Sequence, residues 1–207
     1  MMVAVFYQKA SVMNSRLFSS LTAGALALML AIGSLVQASD DLPPSDNTPE
    51  ARQAFSADLQ KAEAGDARAQ FDVARAYQTG KGVPPNYARA GHWLTKAAEQ
   101  GLEKAEVALG NAYDLGMGVP LDSEAAVHWW QKAAKHGNVS ALKSLAYAYF
   151  EGQGVEKSYL NSYVVWQQLP LDDEEAQDAI QSLRRWMPAE MLEKADGMTL
   201  DDVFNGR

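Results

Sequence analysis

Apolar positions along this chain follow two helical registers that alternate within a 36-residue period. From Asp66, the segment ARAQFDVARAYQTG places Ala69, Val73, Ala76 and Tyr77 at i, i+4, i+7 and i+8, one face of a helix. Gly80 predicts its end, because glycine takes the left-handed conformation of a helix exit. The following Lys81-Gly82-Val83-Pro84-Pro85 predicts a turn, and Asn86 the cap of a second helix. That helix carries Trp93, Ala97 and Ala98 on its apolar face and ends at Gly101. The same columns return twice: Ala69, Ala105, Ala141; Tyr77, Tyr113, Tyr149; Gly80, Gly116, Gly152; Gly82, Gly118, Gly154; Val83, Val119, Val155. The cap column reads Asn86, Asp122, Ser158, three residues whose side chains all accept a backbone N–H.

A fixed period of this length marks stacked supersecondary units. Each unit is two antiparallel helices that cannot bury both faces alone, so neighbouring units share one continuous core. Small residues at Ala69, Ala105, Ala141 and at Ala74, Gly110, Ala146 let backbones approach, and Tyr and Trp fill the wider gaps. Tyr113, in the middle unit, is expected to be buried. The fold class is therefore all-α, a right-handed superhelical solenoid, with three repeats over 65–170. Residues 50–64 read as the second helix of a missing unit and form the N-terminal cap. The third copy has Gln168-Leu169-Pro170 where the others have Lys-Ala-Ala, and Pro170 must end the helix. Residues 171–207 are expected to hold the C-terminal capping helices and a tail. The first of these has acids from Asp172 to Glu175 at its start and a stripe of Ala176, Ala179, Ile180, Leu183, Trp186 and Met187. A last short helix opens with Pro188 at N1 and is stopped by Gly197.

Ahead of the repeats, Leu17 to Val36 is an apolar run behind Lys9 and Arg16, and Val36-Gln37-Ala38 ends it with small residues. This is the n-region, h-region and cleavage-site pattern of an export signal, with cleavage after Ala38. Met13 offers a more conventional start than Met1, and an uncleaved membrane anchor is the rival reading of the same run. Residues 39–49, polar and proline-rich, read as a disordered linker. The compartment implied is a bacterial periplasm.

Charge and composition narrow the chemistry. The formal charge is −8, of which residues 1–38 contribute +2, leaving −10 on the remainder. An acidic surface excludes non-specific nucleic-acid binding, which needs Lys and Arg to displace counterions. The absence of cysteine excludes a disulfide framework, a thiolate metal site, a cysteine nucleophile and lipidation at cysteine. The three Gly-x-Gly sequences lack the third glycine or the Lys-Ser/Thr of a phosphate loop and read as turns. His92 and His128, one period apart, are too few for a metal site. His136 suits a helix C-terminus, and Asp172-Asp173 and Asp201-Asp202 read as solvated charge. No cofactor, metal or catalytic residue is expected.

The units resemble the Sel-like repeat family, a cousin of the tetratricopeptide repeat. Ala105-Glu106-Val107-Ala108-Leu109-Gly110-Asn111-Ala112-Tyr113 matches its first helix and Trp129-Trp130-Gln131-Lys132-Ala133-Ala134-Lys135-His136-Gly137 its second. The resemblance covers about residues 64–169 and implies a non-enzymatic adaptor that binds protein or peptide. In such stacks the first helices line the concave face. There the columns opposite the apolar stripe carry Arg68, Asp72 and Arg75, then Lys104, Ala108 and Asn111, then Ser140, Ser144 and Tyr147, bordered by Phe71, Val107 and Lys143. The expected partner-binding strip is Arg68, Phe71, Asp72, Arg75, Lys104, Asn111, Lys143 and Tyr147. Its cations inside an acidic protein call for a partner with an acidic segment or a C-terminal carboxylate. Two other classes remain open at this point: a cell-wall-directed hydrolase or its regulator, and a secreted factor directed at another cell. Some Sel-like proteins are described as hydrolases of β-lactams, but theirs is a disulfide-rich architecture.

Overall fold

The computed structural model describes residues 46–206. The expected export signal and most of the linker, through residue 45, lie outside the described residues. Among the described residues ten helices follow one another: α1 Pro49–Glu63, α2 Ala67–Thr79, α3 Tyr87–Glu99, α4 Glu103–Leu115, α5 Ser123–Lys135, α6 Val139–Glu151, α7 Tyr159–Trp166, α8 Glu174–Trp186, α9 Ala189–Asp196 and α10 Leu200–Phe204. From α1 to α8 each helix packs on the next, while α8, α9 and α10 all pack on α7. No strand occurs among the described residues.

The repeat chemistry acts as the columns predict. Asn86, Asp122 and Ser158 cap α3, α5 and α7 by accepting the N–H groups of Arg89, Ala125 and Asn161 at 2.9, 2.9 and 3.1 Å. The cap residues donate their own N–H groups to the carbonyls of Tyr77, Tyr113 and Tyr149 at 2.8, 3.0 and 2.8 Å, which closes each loop. Gly80, Gly116 and Gly152 take the left-handed conformation at the ends of α2, α4 and α6.

The second glycine of each Gly-x-Gly has a further duty. Gly82, Gly118 and Gly154 have φ of 72°, 80° and 67°, and each lies directly against a backbone carbonyl of the preceding second helix, at Ala51, Tyr87 and Ser123. These contacts are one period apart, so every loop is seated on the unit before it. A Cβ there would run into the carbonyl oxygen. The motif is a seam between units.

The structure corrects the sequence reading at several positions. Tyr77 and Tyr149 are buried, but Tyr113 is only half-buried. Tyr77 packs edge-on against Phe55, ring centroids 5.4 Å apart. One period on, the position of Phe55 is Gly91, and one further it is Val127, so the middle tyrosine alone has no side chain in that place. Pro188 is the cap of α9 and not its first residue, and α9 is not the last helix. Thr199 and Asp202 form a capping box that starts α10. Asp202 therefore is not simply solvated charge, and neither is Asp173, which caps α8 by accepting the Ala176 N–H at 3.0 Å.

A buried polar position also recurs in the first two units, before Leu142 replaces it in the third. Gln70 donates through Nε2 to the Ala62 carbonyl at 3.1 Å and accepts from Gln100 at 2.7 Å. One period on stand Glu106 and His136. Glu106 is 3% exposed, its Oε2 makes no hydrogen bond among the described residues, and His136 Nε2 lies 3.8 Å away. Leaving a buried oxygen unsatisfied costs about 1–3 kcal/mol. Glu106→Gln restores the donor that Gln70 provides and is expected to raise unfolding free energy by about 1–2 kcal/mol. A denaturation midpoint that falls instead would show that the contact with His136 outweighs the orphaned oxygen.

Candidate functional site

The expected strip divides into an open and a closed part. At the N-terminal end Arg68 is exposed and pairs with Asp72, one turn on, at 3.5 Å. Such surface pairs contribute about 0–1 kcal/mol and leave the guanidinium available. Arg75 and Lys104 are exposed, and neither has an ion-pair partner among the described residues. Phe71 is half-buried and packs on the cluster of Ala74, Leu94, Ala105 and Leu109, as does Leu102. Asn111 is exposed, and its side-chain oxygen accepts the indole N–H of Trp130 at 2.9 Å. This hydrogen bond ties Asn111 to α5 and leaves its amide group as a donor.

At the C-terminal end the chain fills the strip itself. Lys143 Nζ lies 2.8 Å from Asp173 Oδ2 and 2.7 Å from Glu175 Oε2. The Tyr147 hydroxyl donates to Glu175 Oε1 at 2.7 Å. Burial opposes the Lys143 charge, but the hydrogen bonds and charges of Asp173 and Glu175 outweigh it and raise the lysine pKa. The Lys143 hydrogen bond, with that of the Ala176 N–H, lowers Asp173. Burial works to raise Glu175, yet hydrogen bonds from Lys143 and Tyr147 bring it below the usual carboxylate range. Burial first, and donation to Glu175 second, push the Tyr147 phenol up. Lys143 and Tyr147 thus face an occupied site.

The internal occupant follows from the repeat. Asp173 caps α8 as Asp66 caps α2 and Asn138 caps α6. Counted from the cap, Glu175 stands in the column of Arg68, Lys104 and Ser140, and Ala176 in the alanine column. Helix α8 therefore takes the place of a first helix, set 35 instead of 36 residues after the third. Sequence reasoning found its acids but not their target, since one missing residue hides the register.

His92 and His128 are exposed and lie edge-on beside Trp93 and Trp129. Among the described residues no group of three or more His, Cys, Asp or Glu is placed to hold a metal. An open cleft of about 270 Å³ between α7 and α8 is walled by Tyr163, Trp166, Leu169, Ile180 and Arg184. Its guanidinium is engaged, Arg184 Nε donating to the Tyr163 hydroxyl at 2.9 Å.

The repeat geometry has counterparts among known proteins. The Sel1 repeat family profile matches residues 67–102, 103–138 and 139–163. A Sel1 repeat protein from Oxalobacter formigenes is 31% identical, with a TM-score of 0.57 over 63% of this chain and 98% of that one. This chain is a Sel1 repeat protein. The crystal structure of c5321, described as a protective antigen of uropathogenic Escherichia coli strains with an SLR fold, matches at 29% identity and a TM-score of 0.62. That match covers 72% of this Sel1 repeat chain and 32% of c5321, so the chain spans about a third of that protein's length. No curated protein matches the sequence. The third family match ends at Tyr163, short of the segment where the third copy departs at Gln168-Leu169-Pro170. Sel1 repeats form a protein-interaction fold, and the assignment accounts for the periodic surface of the described residues.

Proposed function

We propose that this Sel1 repeat protein is a non-enzymatic adaptor of the bacterial cell envelope that captures a protein or peptide on its first-helix face. The binding surface is the open strip of Arg68, Phe71, Asp72, Arg75, Lys104 and Asn111. Lys143 and Tyr147 mark its C-terminal boundary, because the chain's own acids occupy them. The observation that carries this reading is the pair Arg75 and Lys104, exposed cations without acidic partners in a protein of net charge −8. Charge-assisted hydrogen bonds to an acidic segment of the partner supply the attraction. The periplasmic location rests on the signal pattern ending at Ala38. Among the described residues no helix is long and apolar enough to cross a membrane.

Arg68→Glu combined with Lys104→Glu is expected to abolish capture of partners from envelope extract by the purified protein, with helical circular dichroism unchanged. Charge reversal turns attraction into repulsion and costs more than neutralisation. Capture by the unaltered protein falls as salt rises, since exposed charges are screened beyond about 8 Å at physiological ionic strength. The control is Lys96→Glu with Lys132→Glu, cations that lie over Trp93 and Trp129 on the second helices. Capture lost in the control and kept in the first-helix pair would move the binding surface to the second helices.

A further inference from the structure

The closed junction between α6 and α8 is a template for the open junction between α2 and α4. In the closed one, Lys143 and Tyr147 of the earlier first helix hold Asp173 and Glu175 of the later one. One repeat position for another, Phe71 replaces Lys143, Arg75 replaces Tyr147, Leu102 replaces Asp173 and Lys104 replaces Glu175. The lysine–aspartate contact becomes apolar, Phe71 and Leu102 packing on one cluster. This explains why α4 alone among the first helices starts on a residue that gives no side-chain cap. The tyrosine–glutamate hydrogen bond becomes two cations. The repeat register puts Arg75 and Lys104 at the two positions that hold a donor and a carboxylate 2.7 Å apart in the closed junction. On the helix of Arg75 the nearest acid, Asp72, is paired with Arg68, and on that of Lys104 the neighbouring Glu103 accepts from Asn138 at 2.6 Å.

Two like charges at an element-to-element contact repel, and a carboxylate between them turns the repulsion into two charge-assisted hydrogen bonds. We infer that the α2–α4 junction is a receptor for a side-chain carboxylate of an acidic peptide segment, bridged by Arg75 and Lys104, with a neighbouring apolar side chain of that peptide resting on Phe71. The ligand supplies from outside what Glu175 supplies from inside at the other end. The junction between α4 and α6, with Val107, Asn111 and Ser140 in these columns, has no such charge pair and forms a neutral floor between the two. The inference rests on the adaptor reading and names the chemistry of its ligand.

The test uses a peptide with the sequence of residues 170–181, acetylated and amidated, because it presents the acids of the internal occupant without a free terminus. In a nitrogen-15 NMR titration of the protein, it is expected to shift the backbone signals of Phe71, Arg75 and Lys104. Arg75→Gln with Lys104→Gln should weaken binding at least tenfold. Arg75→Glu should abolish it and raise the melting temperature, because the new carboxylate pairs with Lys104 as Glu175 pairs with Lys143. A second peptide has every acid replaced by its amide and keeps a free C-terminal carboxylate. If it binds and the acidic one does not, the junction recognises a chain terminus and the inference falls. Shifts confined to Lys143, Tyr147 and α8 would mean that the peptide displaces the internal helix, which also overturns it. So would no binding, or binding unchanged by Arg75→Glu. Partner capture that depends on Arg68 and Lys104 alongside a peptide that fails to bind would overturn this inference alone. Peptide binding alongside capture that ignores those residues would overturn the adaptor reading of the strip and leave the junction standing.

Discussion

Gly118→Ala is expected to destabilise the protein by roughly 3–5 kcal/mol, while Gly137→Ala costs about 1–2 kcal/mol. Both glycines have positive φ, 80° and 77°, so both substitutions carry the penalty of a left-handed alanine. They differ in surroundings. Nothing lies within 4 Å of a Cβ at Gly137, whereas one at Gly118 would strike the Tyr87 carbonyl. Backbone cannot swing aside as a long side chain can, so the α3 start and the loop must part and the seam between two units opens. Denaturant titration of the two variants separates the terms. Equal losses would show that the close approach adds nothing and that backbone conformation alone selects these glycines.

The tyrosine column offers the second large effect. Tyr77→Ala is expected to cost about 3–5 kcal/mol, as buried aromatic truncations do. Tyr77 is 5% exposed, meets Phe55 edge-on and accepts a hydrogen bond from Arg89 at 3.1 Å. Tyr113→Ala should cost roughly half as much, because the half-buried ring has less area to return to water. Midpoints of denaturant unfolding at unchanged slope give the comparison. A Tyr113→Ala loss equal to that of Tyr77→Ala would mean that Gly91 does not thin the packing around the middle tyrosine.

The fold was legible because a repeat states each rule three times. The caps Asn86, Asp122 and Ser158 differ in identity and agree in chemistry, and the glycine and alanine columns locate every turn and close approach. Legibility failed where one copy departs from the others. Tyr113 looks equivalent to Tyr77 and Tyr149 until the opposing column is read across as Phe55, Gly91 and Val127. The closed end of the proposed strip was not legible for a related reason. Its cations were visible in sequence, but the engagement of Lys143 and Tyr147 depends on α8, whose register is shifted by one residue. Glu106 and Gln70 share a column of their own, and the polar Gln100–His136 column beside it was the signal that a buried polar pair was present.

The seating of each loop on the helix before it also gives assembly a direction. Gly82 rests on α1, Gly118 on α3 and Gly154 on α5, always on chain nearer the N-terminus. A ribosome releases the chain in that order, so every loop emerges to find its seat already made. No unit waits for sequence still to be synthesised before its loop can close. The helices gathered on α7 then close the stack: α8 brings Asp173 and Glu175 onto Lys143 and Tyr147 once the third unit has emerged. A stack built this way lengthens by whole 36-residue increments inserted ahead of α8, each new loop seated on its predecessor and the same lysine–carboxylate lock carried outward with α8.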